Sequence, residues 1–241
     1  MTGTGGNPQL KPMSANQYDT SIEWYFAPTG SLTFAAFHKD LRNYFLTGTD
    51  GEKVTSGGLT YTFGVQRYFN GAAGSVGGFE LAYQQFYDFL PGPWSGLGLQ
   101  ANYTKIYSNG GANPTVNAFE SPEVTNAKRP LPLEGMSPDS YNIAAMYEKY
   151  GISARLAYNW RSSYLLTSSA ANVNQPVWSE SYGQVDASVF YTFMDHYKIG
   201  VQATNLLKSN TILDVGYADY HPRYDWIETD RKFAIILRAN W

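Results

Sequence analysis

Long segments in which apolar and polar residues alternate constrain this chain more than any other feature. From Ser153 to Arg161 the apolar residues recur at every second position, and the same pattern returns from Gln184 to Phe193 and from Phe233 to Trp241. A period of two places successive side chains on opposite faces of a β-strand. The pattern therefore predicts amphipathic strands, each with one apolar and one polar face.

The length of these segments favours a membrane protein over a soluble one. Further strands are expected at residues 18–26, 32–45, 59–89, 97–103, 141–147 and 197–203. The total is about nine strands, and several reach about ten residues, whereas strands of globular proteins peak near five or six and membrane-crossing strands need about 9 to 11. A soluble β-sandwich with an aromatic core is the alternative, but its strands would be shorter.

The expected connections alternate in length. Short turns are predicted at residues 27–30, 90–93, 149–151 and 194–196, and long loops at residues 47–58, 108–138, 165–180 and 208–230. Aromatic residues cluster where strands meet the short turns, as at Trp24, Phe89, Tyr150 and Tyr197. Short turns on one rim, long loops on the other and an interfacial aromatic girdle are typical of outer-membrane β-barrels.

Composition excludes several other classes. With 17 Lys and Arg against 20 Asp and Glu there is no basic stripe, so no nucleic-acid partner is expected. The absence of Cys removes disulfides and thiolate sites. The histidines His38, His196 and His221 lack metal-ligand spacing, so neither a metal nor a cofactor is expected. The longest apolar run, residues 233–237, is too short for a transmembrane helix.

Several short motifs resemble one family in their order and spacing. They are Gly6-Asn7-Pro8-Gln9-Leu10-Lys11-Pro12 followed by Asn16-Gln17-Tyr18-Asp19, Phe37–Leu41, Gly78–Leu81 and Asn205–Leu207, with the amphipathic terminal strand. This set resembles the β-barrel of TonB-dependent outer-membrane receptors over essentially the whole chain, residues 1–241. The resemblance implies an all-β, antiparallel transmembrane barrel, to which this chain would contribute about nine of roughly 22 up-and-down strands.

The same resemblance implies a function and a set of partners. Receptors of this family import siderophores, cobalamin or oligosaccharides across the outer membrane of Gram-negative bacteria. No signal peptide, TonB box or plug domain is visible in the sequence. The expectation is therefore a C-terminal portion that needs an upstream export signal and reaches the TonB complex only through a missing N-terminal barrel and plug, with outer-membrane lipid around it.

Three groups of residues are predicted to have roles. The terminal strand resembles the signal read by the barrel-assembly machinery, with Trp241 where Phe is usual: Phe233, Ile235, Leu237, Ala239 and Trp241. Charged residues at polar-face positions are candidates to line a lumen or hold a plug: Glu23, Glu148, Arg155, Arg161, Asp186, Lys198 and Arg238. Aromatic and basic residues of the last long loop are candidates to bind a ligand: Tyr217, Tyr220, His221, Arg223, Tyr224 and Trp226.

Two other functions remain open from the sequence. A passive outer-membrane pore or structural barrel would close alone or as an oligomer and would have an even number of strands. An outer-membrane hydrolase would use His221 with Asp219 or Asp225. The receptor hypothesis leads because it accounts for the motifs, and under it the chain is not an enzyme.

Overall fold

β-strands make up most of the structure in a computed structural model of the chain, which describes residues 2–71, 73–110, 131–168, 176–194, 196–216 and 222–239. The strands are β1 (Thr2–Thr4), β2 (Ser14–Ala27), β3 (Gly30–Arg42), β4 (Phe45–Ser56), β5 (Leu59–Asn70), β6 (Ala73–Phe86), β7 (Leu97–Asn109), β8 (Asp139–Lys149), β9 (Ile152–Arg161), β10 (Tyr164–Thr167), β11 (Val177–Ser179), β12 (Tyr182–Phe193), β13 (Tyr197–Thr204), β14 (Thr211–Val215), β15 (Arg223–Ile227) and β16 (Lys232–Ala239). A short 3₁₀ helix, Gly92–Gly96, precedes β7. Within the described ranges, no helix has the length and apolar character needed to span a membrane.

Nine of these strands form one antiparallel sheet, in the order β2-β3-β6-β7-β8-β9-β12-β13-β16. Each strand pairs with the one that precedes or follows it in this order, so the sheet is an up-and-down meander. The sheet is not closed, because β2 and β16 each have one unpaired edge among the described residues. The predicted all-β, antiparallel architecture of about nine long strands is confirmed.

The register separates the side chains of this sheet into two faces. Residues directly opposite each other point to the same side. One row joins Ile22, Phe34, Leu81, Tyr103, Tyr141 and Trp160 across six neighbouring strands. We call this side the apolar face and the other side the polar face. Ile22 and Leu81 are 68% and 42% exposed, so no described part of the chain covers the apolar face at these residues.

Aromatic rings form contacts at two heights of the apolar face. Near the short turns, Trp24 packs edge-on against Phe26 at 5.4 Å, and Phe193 stacks with Tyr197 at 5.5 Å. A second group lies nearer the long loops, where Tyr141 stacks on Trp160 at 5.1 Å. The first group was predicted from the sequence. The second was missed, because its members lie within strands and meet only through the register.

The rim with short turns matches the prediction. The chain reverses through residues 28–29 and 150–151 and through the longer segments 87–96 and 194–196, of which residue 195 is outside the described ranges. Tyr150 and Gly151 both have positive φ angles, 55° and 74°. Consecutive left-handed residues produce the tight reversal that suits the twist of a hairpin. We call this side the short-turn rim.

The opposite rim carries connections with more structure than expected, and two predictions there were wrong. Residues 47–58 were predicted to be a loop, but they belong mostly to β4, which pairs with β5 along its whole length. Residues 59–89 were predicted as one strand, but they contain β5, a break near Gly71 and then β6. Gly57 and Gly58 allow the two-residue reversal between β4 and β5, because both adopt positive φ angles.

The other long connections also form strands. Residues 165–180 and 208–230, predicted as loops, contain parts of a second sheet in the order β10-β11-β14-β15. Two different connections therefore pair with each other through β11 and β14. Leu165 and Val177 are almost fully buried in this sheet. We call this side the long-loop rim.

Candidate functional site

Every charged residue that was predicted to face a lumen lies on the polar face. These residues are Glu23, Glu148, Arg155, Arg161, Asp186, Lys198 and Arg238. The structure does not bring them together as ion pairs within the described ranges. Arg155 donates to the Gln100 side chain at 3.1 Å, and the Asp186 carboxylate accepts from the Asn205 backbone N–H at 2.9 Å. Their roles toward a lumen or a plug remain predictions.

A row of amide side chains crosses the middle of the polar face and was missed by sequence analysis. Asn102, Asn142 and Asn159 lie opposite one another on β7, β8 and β9, and Gln184 follows on β12. The Asn142 side-chain amide donates to the side-chain oxygen of Asn159. Each strand shows an amide at a polar position in the sequence, but only the register places the amides side by side.

A groove of about 280 Å³ runs beside this amide row. Its polar lining consists of Asn102, Ser140, Asn142, Asn159, Arg161 and Tyr182. The Arg161 guanidinium lies 4.6 Å from the centre of the Tyr164 ring, and Tyr164 is buried. The groove therefore holds one cation among several neutral hydrogen-bonding groups.

Apolar side chains interrupt the polar face near the long-loop rim. Tyr44, Leu46, Val76 and Leu133 form a buried cluster, against which Phe37, Leu41, Ile106 and Met136 pack. We call this set the loop cluster. It joins the connection after β3 to the connection before β8, and burial of apolar surface stabilises that arrangement. The described residues 44–46 and 131–136 of these two connections thus pack over the polar face.

Polar contacts extend this link to the connection after β9. The Ser168 backbone N–H donates to the Glu134 carboxylate at 2.5 Å, and the Gly135 N–H donates to the Leu165 carbonyl at 2.8 Å. Burial, and secondarily the nearby Glu134 carboxylate, raises the pKa of the Tyr44 phenol. The Tyr44 hydroxyl is buried and has no hydrogen-bond partner in the described part of the chain.

Hydrogen bonds of Asn205 hold the last long connection against the sheet. Its backbone has a φ angle of 55°, and its side chain is buried. The amide donates to Thr229 Oγ1 at 3.0 Å, and its oxygen accepts from the Ser209 N–H at 2.8 Å. Both ends of the connection therefore meet at one side chain. This gives a structural role to part of the Asn205–Leu207 motif.

The predicted ligand-binding residues are only partly described. Tyr217, Tyr220 and His221 lie outside the described ranges, as does Asp219. Arg223 and Trp226 lie on the exposed edge strand β15, where the guanidinium is 5.7 Å from the indole centre. Arg223 also pairs with the Glu180 carboxylate at 3.3 Å. Tyr224 is on the same strand. The ligand-binding role of these residues remains a prediction.

An exposed ion pair lies beside the start of β16. Lys208 Nζ is 3.2 Å from Asp230 Oδ1. The Arg231 backbone N–H, and then Lys208, lower the pKa of the Asp230 carboxyl. Both side chains are well exposed, so solvent screens this attraction.

The terminal strand presents its apolar residues on one side. Phe233, Ile235, Leu237 and Ala239 lie opposite apolar-face residues of β13, while Trp241 is outside the described ranges. Ile235 is 81% exposed. The arrangement agrees with a lipid-facing strand, and its use as an assembly signal remains a prediction.

No candidate metal-binding cluster is found among the described residues. No group of three or more His, Asp or Glu side chains there is placed to hold a metal ion. His38 contacts Asp40 at 3.1 Å on the apolar face, at the long-loop end of β3. Asp225 accepts from the backbone N–H of Trp226, and its suggested partner His221 lies outside the described ranges.

The fold and its two faces define a class of protein. Long antiparallel strands with an uncovered apolar face, aromatic rings at two heights, and alternating short turns and long loops are features of a transmembrane β-barrel wall. The structure therefore shows part of such a wall, opened along β2 and β16.

Comparison with known proteins gives the family. The model of the family described as TonB dependent receptor-like, beta-barrel matches residues 1–206. The chain belongs to this family, whose members are receptors and transporters. This membership indicates an outer-membrane location. No curated protein sequence matched the chain.

Solved structures agree on the fold. The siderophore receptor PirA from Acinetobacter baumannii matches 98% of this chain with 15% identity and a TM-score of 0.61. The copper transporter OprC matches 96% with 12% identity and a TM-score of 0.63. The FrpB iron transporter from Neisseria meningitidis matches 99% with 9% identity and a TM-score of 0.59. The chain spans 33%, 32% and 32% of their respective lengths, so it corresponds to about a third of each.

Proposed function

We propose that this chain forms the C-terminal part of the barrel of an outer-membrane receptor that imports a nutrient in a Gram-negative bacterium. The observation that carries this proposal is the open nine-stranded meander, which spans only about a third of the receptors that it matches. An unpaired strand edge is a site for further pairing or for aggregation. Additional barrel strands of the same receptor would satisfy both edges.

The remaining partners follow from this proposal. A plug domain would lie against the polar face, and the TonB complex would act through that plug and not through the barrel strands. The cargo would be a siderophore, cobalamin or an oligosaccharide. Residues of the last long connection, with Arg223 and Trp226 on β15, would contact it at the outer rim. The apolar residues of β16 would guide assembly of the barrel.

Sequencing of the DNA directly upstream of Met1 tests this proposal. An export signal, a plug domain and about thirteen further strands are expected in the same reading frame. The complete protein, expressed in cells, should then fractionate with the outer membrane and support uptake that requires TonB. An upstream region without these segments would contradict the proposal.

A passive barrel makes a different prediction from the same chain. The isolated 26.9 kDa chain would then close, resist detergent at low temperature and change its gel mobility on heating. It would also conduct ions in a planar bilayer. The open sheet and its two free edges lead us to expect neither result.

A further inference from the structure

The charges of the polar face are divided between its two halves. On β2 to β8 the acidic residues predominate, with Asp19, Glu23, Glu80 and Glu148 against Lys39. On β9 to β16 the basic residues predominate, with Arg155, Arg161, Lys198, Lys232 and Arg238 against Asp186. We call these the acidic half and the basic half. The division was not visible along the sequence, because it depends on which alternate positions share a face.

The cations of the basic half have no carboxylate partner within the described residues. The ion pairs among the described residues involve other side chains, on the apolar face, between β4 and β5 and in the long connections. Lys198 and Arg238 instead lie over the Phe190 ring, at 5.1 Å and 5.9 Å. Because these cations outnumber the single Asp186 carboxylate on the same surface, they create a positive potential, which attracts anions.

The cations are spread over the height of the sheet. Lys198 and Arg238 are next to the short-turn rim, Arg155 lies between the rims, and Arg161 and Lys232 lie at the long-loop ends of β9 and β16. An anion that entered from the long-loop rim would meet Arg161 and Lys232 first.

Arg161 is the best positioned of these cations to bind an oxyanion. Its guanidinium stacks on the buried Tyr164 ring at 4.6 Å, which restricts its motion. A guanidinium presents a planar set of N–H donors that fits a carboxylate or a phosphate in two parallel hydrogen bonds. The groove beside it offers amide and hydroxyl groups from Asn142, Asn159 and Ser140.

We propose that the basic half of the polar face binds small solutes that carry carboxylate or phosphate groups, with the Arg161 groove receiving the oxyanion. The proposal deepens the nutrient-import function above and rests on it for the direction of movement, but binding itself does not require transport. An acidic polypeptide is the other partner that such a surface fits. The concentration of hydrogen-bonding groups in one groove favours a small solute.

The test is an equilibrium titration of the full chain, folded in zwitterionic detergent micelles. Citrate, inorganic phosphate and the uncharged polyol xylitol are the three probes, measured by calorimetry. Citrate or phosphate should bind, and the preference between them separates carboxylate from phosphate recognition. Xylitol should not bind. Added salt should weaken the binding, because it screens the cations.

Two substitutions in the groove and one matched control complete the experiment. Arg161→Gln should weaken binding by at least about tenfold, the usual effect of losing a hydrogen bond to a charged group. Asn159→Asp keeps an acceptor for Asn142 but adds a negative charge, so it should also weaken anion binding. Arg42→Gln removes the same charge from an exposed residue on the apolar face and should leave binding unchanged.

The results that would overturn the proposal are specific. If Arg161→Gln, Asn159→Asp and Arg42→Gln bound citrate or phosphate equally well, the groove would take no part in anion binding. Absence of citrate and phosphate binding to the folded chain would leave an acidic polypeptide as the occupant of the basic half. Both outcomes are compatible with a complete receptor encoded upstream, so failure here is distinguishable from failure of the import function.

Discussion

The two rims of the sheet reverse the chain in different ways. At the short-turn rim, β8 and β9 are joined by two residues whose backbone conformation alone makes the turn, Tyr150 and Gly151. At the long-loop rim, the connections contain β4, β5, β10, β11, β14 and β15 and are held by side chains distant in sequence. The β8–β9 turn is therefore set mainly by local geometry, and the long-loop rim by packing between connections.

This difference decides what a substitution does at each rim. A change at the short-turn rim acts on the sheet through the turn itself and the strands directly beside it. A change at the long-loop rim acts on the loop cluster, and the sheet below it can stay intact because its own hydrogen bonds do not depend on the loops. Four substitutions test this contrast, and we take them from the largest expected effect to the smallest.

Leu133→Ala should have the largest effect. Leu133 is buried in the loop cluster, and truncation of a buried leucine typically costs about 2 to 5 kcal/mol. We expect residues 131–138 to become sensitive to proteases while the circular dichroism of the sheet stays unchanged. Leu207→Ala is the matched control, because Leu207 is 60% exposed. Global loss of strand signal in Leu133→Ala would show that the rims are not independent.

Gly151→Ala should destabilise the sheet by about 2 to 4 kcal/mol, from the left-handed conformation and from crowding together. A Cβ atom at this position would lie 2.7 Å from the Thr192 carbonyl oxygen. Gly57→Ala is the matched change at the long-loop rim, where φ is 59° and no atom lies within 4 Å. It should cost only about 1 to 2 kcal/mol. Urea unfolding in micelles compares the two variants, and equal midpoints would contradict this account.

Tyr44→Phe should change the pH dependence of the long-loop rim. Because the pKa of the buried Tyr44 is raised, its stabilising effect is complete below the ordinary value of about 10 and is lost as pH rises through the folded value. The variant removes this loss and leaves no buried hydroxyl unpaired. Protease sensitivity at pH 8 and pH 11 measures the effect, with the exposed Tyr68→Phe as control. Identical profiles for wild type and Tyr44→Phe would refute the prediction.

Asp230→Asn should have the smallest effect. The lowered pKa of Asp230 means that its contribution is present above the ordinary carboxyl range and is lost as pH falls through the folded value. The wild type should therefore lose a little thermal stability in acid, and the variant should not. The difference should shrink in high salt, since both charged side chains are exposed. A difference that persists in molar salt would point to another cause.

The sequence predicted the sheet better than the long-loop rim for a physical reason. Alternation along each strand, as in residues 153–161, reports directly on which residues share a face, so the strands and the polar-face positions were predictable. The loop cluster was not, because Tyr44 and Leu133 are far apart in sequence and meet only after the sheet forms. The Asn102, Asn142 and Asn159 row and the division of charge likewise required the register between strands.

β4 shows why composition misleads at this rim. Its sequence contains Gly48, Gly51 and several polar residues, which favours a loop. The strand forms because β5 pairs with it over its full length and β1 adds to the far side of β5. Strand preference depends strongly on such neighbours, and they are not visible in a local window.

The alternation of short and long connections also gives the sheet a folding order. Short segments join β2 to β3, β6 to β7, β8 to β9 and β12 to β13, so these four hairpins close between near neighbours in the chain. Joining one hairpin to the next requires closure of residues 43–72, 110–138, 162–181 or 205–231. Closure entropy rises by only about 0.6 kcal/mol for each doubling of loop length, but contacts distant in sequence form slowly. We therefore expect the hairpin to be the kinetic unit of this wall, with the rate at which hairpins merge set by the long connections.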